Sequence, residues 1–565
     1  VRRVNAYARK TGANAAASAH LDIARFFQWR LEFTSPWLHA AAAAVLALAA
    51  YCNSLPGGFH LDDWVMLEDE QIRGAGPVGR VFRLEQTRPL TYLTFRWNFS
   101  ISETDPWPYH AANVALHTGN SALLLFVARC ALPPAAAFGA AAIFAVHPIH
   151  SEAVNYVFQR ATLLATFFAL LTVLLYFHGK WLPSAVAFGL SLLAKEETIA
   201  LPVWLLLHAL MLRKERPIRW GYFAAMFCLS SVAAARIWYA LSVTPDPNMG
   251  YGMEGMTAIT YLLTQTRVVW TYIALFFWPA GLNLDHDVEL SQSLTTPWTT
   301  LPAALALVVV VLVFSRQTLH GRRGPAVWLL GFFVLLAPSS SLVPVADVMF
   351  EHRTYFPLTC FVVGLGWLWG KFSRPIFWMS AAVVLPVLLW VTIARNRTWK
   401  DEESLWTDAT AKSPRKARPY VHLARAVSAR QPDRSVELLQ KALAIDPKNA
   451  DAHSHLGMIR LLNRQPAEAI RHYRQAIASA GETAVIWNNM GLAHAALGLS
   501  RDAVADYRSA LRLDPCLAGA RLNLIALLAA TGEKKEALLA SQAPPVCRLS
   551  PSDALELETL RRRLY

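Results

Sequence analysis

Eleven apolar runs follow one another along the first 395 residues: near 37–54, 110–130, 134–147, 160–178, 182–194, 198–212, 220–241, 299–315, 325–338, 355–370 and 376–395. A helix needs about 20 apolar residues to cross a bilayer, and backbone in lipid must satisfy its own hydrogen bonds. A chain carrying so many such runs can only become a bundle of membrane helices. Charged residues make up 16% of the chain, against about a quarter in a soluble domain. Beyond residue 395 the sequence turns polar and repetitive, which predicts two domains, one embedded and one water-soluble.

The net charge of +14 does not point to nucleic acid, because no groove-reading motif accompanies it. The basic residues instead fall in short turns between apolar runs: Arg129, Lys180, Arg213 to Arg219, Arg316 to Arg323, and Lys371 with Arg374. With the N-terminus and its Arg2, Arg3, Arg9 and Lys10 inside, all of these land on the cytoplasmic side. That sidedness holds only if the further stretch 257–281, with Gln265 and Arg267 in mid-run, does not cross. It therefore reads as a re-entrant or juxtamembrane helix pair. The expectation is an all-α chain with eleven spans, N-terminus in and C-terminus out. Residues 1–35 read as a basic amphipathic leader on the cytoplasmic face, not a cleavable signal.

The opposite turns carry "FHLDDW", "HPIHSEAVNY", "AKEET", "PNMGYGMEG", "LNLDHDVE" and "VADVMFEHRTYFP". Acids and histidines thus gather on the outer face. Ionisable groups at membrane depth are costly unless they line a polar cavity, so an outward-facing cavity is expected.

From Ala417 the chain divides every 34 residues, into 417–450, 451–484, 485–518 and 519–552. The third unit shows Trp487, Gly491, Ala503, Tyr507, Ala510 and Pro515; the second repeats Gly457, Ala469, Tyr473 and Ala476 in register. The first keeps Ala442 and Pro447, and the fourth keeps Ala537 before degrading at Pro544 and Pro545. This is the tetratricopeptide pattern, in which small residues let paired helices approach and proline ends the second helix. Trp487 and the tyrosines read as core residues. Stacked, such repeats form a superhelix whose concave face usually binds peptide. Cys516 and Cys547 lie in this part and are able to pair if it is extracytoplasmic.

Four motifs come in order: "RPLTYLTFRWN" (88–98), "FAVHPIHSEAVNYVFQRATLLA" (144–165), "LLAKEETIALP" (193–202) and "FEHRTYFPL" (350–358), followed by the repeats. This succession resembles the transmembrane and tetratricopeptide-repeat O-mannosyltransferases, polytopic glycosyltransferases of the GT-C class. The alanine-rich composition and short array look like a bacterial relative. The resemblance implies transfer of a sugar from a polyprenyl-phosphate donor to Ser or Thr hydroxyls of extracytoplasmic proteins. It implies a location in the bacterial inner membrane, with active site and repeats in the periplasm. An acidic residue in the first outer loop would be the catalytic base, a role that falls here to Asp62 or Asp63. Asp63, nearer the aromatic Trp64, is the favoured one. A carboxylate suits this step, since the hydroxyl loses its proton as the C–O bond forms; helix capping is the structural alternative for either aspartate.

The remaining loop residues are weighed against that donor. Arg353 is the expected phosphate clamp, because a guanidinium holds phosphate oxygens bidentately; Glu351 or His352 would orient it, and Arg88 would also touch phosphate. An ion pair fixing the loop is the alternative. His147, His150 and Glu152 suit a substrate or phosphate contact, a divalent cation, or a helix-end network; their spacing matches no standard zinc motif. Lys195 and Glu196 read as an internal pair shaping the cavity, with Arg160 auxiliary to it. Asp285, His286 and Asp287 are weaker acceptor or metal contacts, and the apolar side chains of 257–281 suit either a polyprenyl tail or plain packing. No cofactor is required, with a divalent cation the one open addition. The expected partners are the polyprenyl-phosphate sugar, a protein or peptide acceptor held by the repeats, and membrane lipids, with no nucleic acid. The domains expected are the leader, a transmembrane catalytic domain at 36–396, a linker helix at 397–416, repeats at 417–552 and a basic tail at 553–565. Two other readings share parts of this pattern: a glycolipid or polysaccharide transferase, and a non-catalytic membrane-anchored repeat scaffold.

Overall fold

The computed structural model describes residues 35–74, 76–83, 87–213, 215, 217–243, 255–321, 324–340, 343–542 and 551–564. The amphipathic leader, the "PNMGYGMEG" loop up to Gly255, Pro544, Pro545 and Cys547 lie outside the described residues. Every regular element among the described residues is a helix, and the chain divides into two compact units. The first ends at Asp401 and the second comprises Asp285–Asp287 and Glu402–Tyr565.

All eleven apolar runs of the first unit are helical. Six helical segments are long and apolar enough to cross a membrane by length and composition: Pro36–Ser54, Pro106–Arg129, Val157–Phe177, Trp220–Val243, Thr300–Leu319 and Arg374–Trp399. The other five runs form shorter helices, Pro134–Val146, Trp181–Ala194, Leu201–Met211, Ala326–Leu336 and Tyr355–Trp369. Small residues let these helices approach, as they must where lipid offers no hydrophobic drive to pack them. Ala43, Ala47 and Ala50 of the first helix are buried, and a Cβ on Gly331 would stand 2.5 Å from the Trp204 indole nitrogen. Buried polar groups are paired across helices: the His117 ring bonds the Tyr355 hydroxyl (2.8 Å) and the Ala145 carbonyl (3.1 Å).

One expectation needs correcting. The stretch 257–281 is not a helix pair but a single helix, Ala258–Phe277, opened by a Thr257–Thr260 capping box. Its two mid-run polar residues do not break it, because they find partners outside the helix. Gln265 donates to the Val348 carbonyl (2.7 Å) and Arg267 to that of Glu289 (2.8 Å).

In the second unit the helix pairs begin at Ala417, Ala450, Ala484 and Ala518, within a residue of the period read from sequence. Ala469, Tyr473, Ala503, Tyr507 and Ala510 are buried. The glycines are there for close approach: a Cβ on Gly457 would meet Tyr473 Cε1 at 2.6 Å, and one on Gly491 would meet Tyr507 Cε1 at the same 2.6 Å. Gly491→Val is therefore expected to cost about 1–3 kcal/mol, read as faster hydrogen exchange across residues 484–513 of the full chain; unchanged exchange would show that the tyrosine ring can move aside. Cys516 is disulfide-bonded.

Candidate active site

The loop after the first apolar helix enters the site through a strained turn. Leu61 has φ +46° and ψ −117°, a region that side chains other than glycine rarely occupy, and such strain tends to collect at functional sites. The short helix Asp62–Glu68 follows directly. Its two aspartates part company. Asp63 is buried and takes the His60 N–H on Oδ2 (2.9 Å) and the Phe158 N–H on Oδ1 (2.7 Å). Burial pushes its carboxyl up to about 7, against the pull of those two N–H groups and the His60 charge. Asp62 is exposed, its backbone N–H bound to the Tyr156 hydroxyl (3.0 Å) and its neighbour Trp64 also exposed. One aspartate thus pins two loops together while the other faces outward.

The floor of the loop is anchored from far along the chain. The Gly58 N–H donates to the Lys400 carbonyl (3.1 Å), and the His60 ring bonds the Trp399 carbonyl (2.9 Å).

A cluster of charges comes together from four further segments, those of Arg88, Glu152, Lys195 and His352. Arg88 grips Glu196 through two bonds, Nη2 to Oε1 at 2.6 Å and Nε to Oε2 at 3.1 Å. Lys195 is buried and pairs with Glu197 at 3.0 Å, while its ammonium also reaches Thr162 (2.6 Å) and Gln159 (3.3 Å). The expected Lys195–Glu196 pair is thus replaced by Lys195–Glu197 and Arg88–Glu196. Lys195 is extended and stands just before the 3-10 turn Glu196–Ala200 that carries both glutamates. Glu197, Gln159 and Thr162 were not singled out by sequence, although the second glutamate of "KEE" was the available signal. His352 bonds Glu152 through its ring (2.6 Å) and its backbone N–H (3.0 Å), and burial holds that ring well below its usual pKa. Lys195, Arg353, Glu197 and Arg88 all act on His352 electrostatically, which makes the cluster one.

Other expected contacts serve the scaffold. His147 accepts the Ile149 N–H on Nδ1 (3.2 Å), and its Nε2 bonds the Phe276 carbonyl (2.8 Å) while stacking on that ring. With both nitrogens used on the fold, it is not free to meet phosphate or metal. His150 packs against the rings of Phe144 and Tyr355, and its two buried ring nitrogens have no hydrogen-bond partner among the described residues. The His147 and His150 ring centroids are 6.1 Å apart, but the described residues hold no group of three side chains able to hold a metal ion. Glu351 is buried and takes the Asn283 N–H at 2.6 Å. Arg353 donates to the carbonyls of Asp347 (2.8 Å) and Val348 (3.3 Å) and to the Tyr261 hydroxyl (3.3 Å), so backbone oxygens and a hydroxyl hold it in place of a carboxylate. Arg160 bonds Asn98, Asn113 and the carbonyls of Thr94 and Tyr109.

Within the second unit, Asp285 is buried and bound by Arg418 (2.7 Å) and Lys416, and Asp287 by Arg415 (2.8 Å). These two aspartates are neutralised structurally, which replaces the acceptor or metal contact expected of them. The repeats enclose a cleft of about 510 Å³ lined in part by Trp487, Arg474, His494 and Asp506, with His494 Nδ1 2.6 Å from Asp506. Trp487, read as core, is half-buried on its wall.

The Arg88–Glu196 pair gives the site a pH signature. Burial pushes Glu196 up, but the Arg88 charge and its hydrogen bonds outweigh it and hold the carboxyl at about 2, against 4.5 unperturbed. The folded state binds that proton more weakly than the unfolded one. The stabilisation is therefore complete above about pH 4.5 and lost as pH falls toward 2. Glu196→Gln is expected to lower the melting temperature at pH 7, with the gap to the unsubstituted protein closing as pH falls to 3. A gap that stays constant with pH would mean the carboxylate charge contributes nothing.

Two tetratricopeptide-repeat family models match, at residues 426–491 and 484–515. The mouse (Mus musculus) Protein O-mannosyl-transferase TMTC3 is 25% identical over 476 residues, covering 72% of this chain and 51% of that protein. The fruit-fly (Drosophila melanogaster) Protein O-mannosyl-transferase Tmtc3 is 26% identical over 543 residues, 77% of this chain and 58% of that one. The chain is related to the transmembrane and tetratricopeptide-repeat O-mannosyltransferases. The match to the mouse protein runs through most of this chain, so the relation does not rest on the repeats alone. The chain spans about half the length of the curated relatives it matches.

Proposed function

We propose that the first unit is a GT-C-type glycosyltransferase that moves a mannose-like sugar from a polyprenyl-phosphate donor to Ser or Thr hydroxyls of extracytoplasmic proteins. The observation that carries this reading is the pairing of an exposed carboxylate, Asp62, with a neighbour, Asp63, whose two backbone hydrogen bonds hold its loop rigid. A general base has to be reachable and fixed at once, and Asp62 meets both needs where Asp63 meets only the second. The base is therefore assigned to Asp62. It takes the acceptor hydroxyl proton as that oxygen attacks the anomeric carbon, and the C–O bond to the donor phosphate breaks with its electron pair leaving on phosphate.

Arg88 is assigned to that phosphate because its side chain is partly exposed even while paired with Glu196, whereas Lys195 and Arg353 are buried. Glu196 holds the Arg88 guanidinium in orientation. The repeat unit presents the acceptor, and its disulfide-bonded Cys516 agrees with an oxidising compartment such as the periplasm. On this reading the N-terminus is cytoplasmic, the site lies on the opposite side of the bacterial inner membrane, and eleven helices cross it.

The test is peptide-level mass spectrometry of extracytoplasmic proteins from cells with the intact chain and with Asp62→Asn. The expected result is a hexose mass on Ser or Thr that disappears in the variant. A hexose found on glycolipid, with no protein modified, would move the acceptor to lipid and overturn the role given to the repeats.

A further inference from the structure

The helix Ala258–Phe277 has two working faces. Tyr261, Gln265 and Tyr272 share one, and they donate to the carbonyls of Ser339 (2.8 Å), Val348 (2.7 Å) and Phe350 (2.9 Å). Arg267 and Trp270 lie on the other: at 3.6 residues per turn, Arg267 is about 200° round from Gln265. This second face meets the apolar helix Thr300–Leu319 and leaves a groove of about 520 Å³, lined by Arg267, Trp270, Trp298, Pro302, Ala303 and Ala306 among others. That volume is within the usual range for a small-molecule site.

The groove has a polar end and an apolar end. Arg267 donates to the Glu289 carbonyl (2.8 Å) and lies 3.4 Å from the Ser291 hydroxyl. That hydroxyl is 2.9 Å from Thr300 Oγ1, at the first residue of the apolar helix. Among the described residues, Arg267 forms no ion pair with a carboxylate. Arg267 stands beside the head of the neighbouring apolar helix, and an arginine with no carboxylate partner against a span is a functional-site signal. Trp298 stands 77% exposed beside it, as indoles do at the headgroup level. Ala303 and Ala306 lie about one and two turns further along the helix. Their small side chains keep the channel open, and the Trp270 indole is fixed against its wall by a 2.9 Å bond to the Ala303 carbonyl.

We propose that this groove is a specific site for an anionic bilayer phospholipid, with the phosphate on Arg267 and one acyl chain along Ala303 and Ala306. Charge complementarity selects an anionic headgroup, and the small-residue wall selects a single chain. The occupant is the bilayer lipid and not the sugar donor, because the charge cluster around Arg353 lies off the opposite face of the same helix. The inference stands on this groove and does not depend on transfer activity.

The test uses the full chain in detergent, with native mass spectrometry against phosphatidylglycerol, phosphatidylcholine of the same acyl chains, and a polyprenyl phosphate. Phosphatidylglycerol is expected to be retained about fivefold better than phosphatidylcholine, whose choline ammonium offsets the phosphate charge beside Arg267; that is the factor one basic residue on an anionic headgroup supplies. Arg267→Gln is expected to remove that preference. Ala306→Phe, which fills the groove and keeps the charge, is expected to remove retention altogether. Equal retention of both phospholipids, or a preference that survives Arg267→Gln, would overturn the site. Displacement of phosphatidylglycerol by polyprenyl phosphate would give the groove to the donor and overturn the choice of occupant. Should either variant fail to fold, a photoactivatable phosphatidylglycerol on the unsubstituted chain decides the matter. Crosslinks on the peptide holding Ala303 and Ala306 support the site, and crosslinks confined to other segments overturn it.

Discussion

Asp62→Asn is expected to lower sugar transfer by about 10²–10⁴-fold, the range a positioned general base contributes, with no change in melting temperature. The substitution keeps the size and the backbone of an exposed residue, and its backbone N–H still reaches the Tyr156 hydroxyl. The carboxylate that can take a proton is lost, and the side-chain contact to the Tyr156 hydroxyl becomes one to a neutral amide. The neighbouring substitution serves as the contrast. In Asp63→Asn an amide NH₂ must face one of the two backbone N–H groups that the carboxylate accepts, from His60 or Phe158. An unsatisfied buried donor costs about 1–3 kcal/mol, so Asp63→Asn is expected to lower both stability and activity. A thermal melt with a donor-turnover assay on the two variants separates them. If Asp62→Asn retains full activity while Asp63→Asn loses all of it at unchanged stability, the base is Asp63.

The second large effect is at Arg160. Its guanidinium donates to Asn113 Oδ1 (3.0 Å), Asn98 Oδ1 (2.5 Å) and the carbonyls of Tyr109 (3.1 Å) and Thr94 (3.3 Å), and it stacks 4.5 Å above the Phe95 ring. The side chain is fully enclosed. Arg160→Ala strips four acceptors of their donor and leaves a cavity, at a cost of about 3 kcal/mol or more. Arg160→Lys is not expected to rescue it, because a single ammonium does not reproduce the planar fork. A fall of about 5–10 °C in melting temperature is expected for both. Loss of activity with an unchanged melting temperature would restore Arg160 to the substrate cavity, where the sequence had suggested a place for it.

Taken alone, the sequence determined the helices and the repeat period. Apolar length marks a membrane helix wherever it sits, and the 34-residue recurrence of small residues and tyrosine marks a repeat, so neither needs knowledge of distant partners. The close approach of Gly457 to Tyr473 and of Gly491 to Tyr507 was legible for that reason. The loops carried no such periodicity. There the direction of each side chain is settled by groups remote in sequence: Asp63 by the N–H of Phe158, 95 residues on, His147 by the carbonyl of Phe276, 129 residues on, and Arg88 by Glu196, 108 residues on. Two adjacent aspartates are chemically identical until one of them is enclosed. Only the tertiary structure decided which was buried to brace the loop and which was left facing outward, because enclosure is a property of the packed chain and not of the residue.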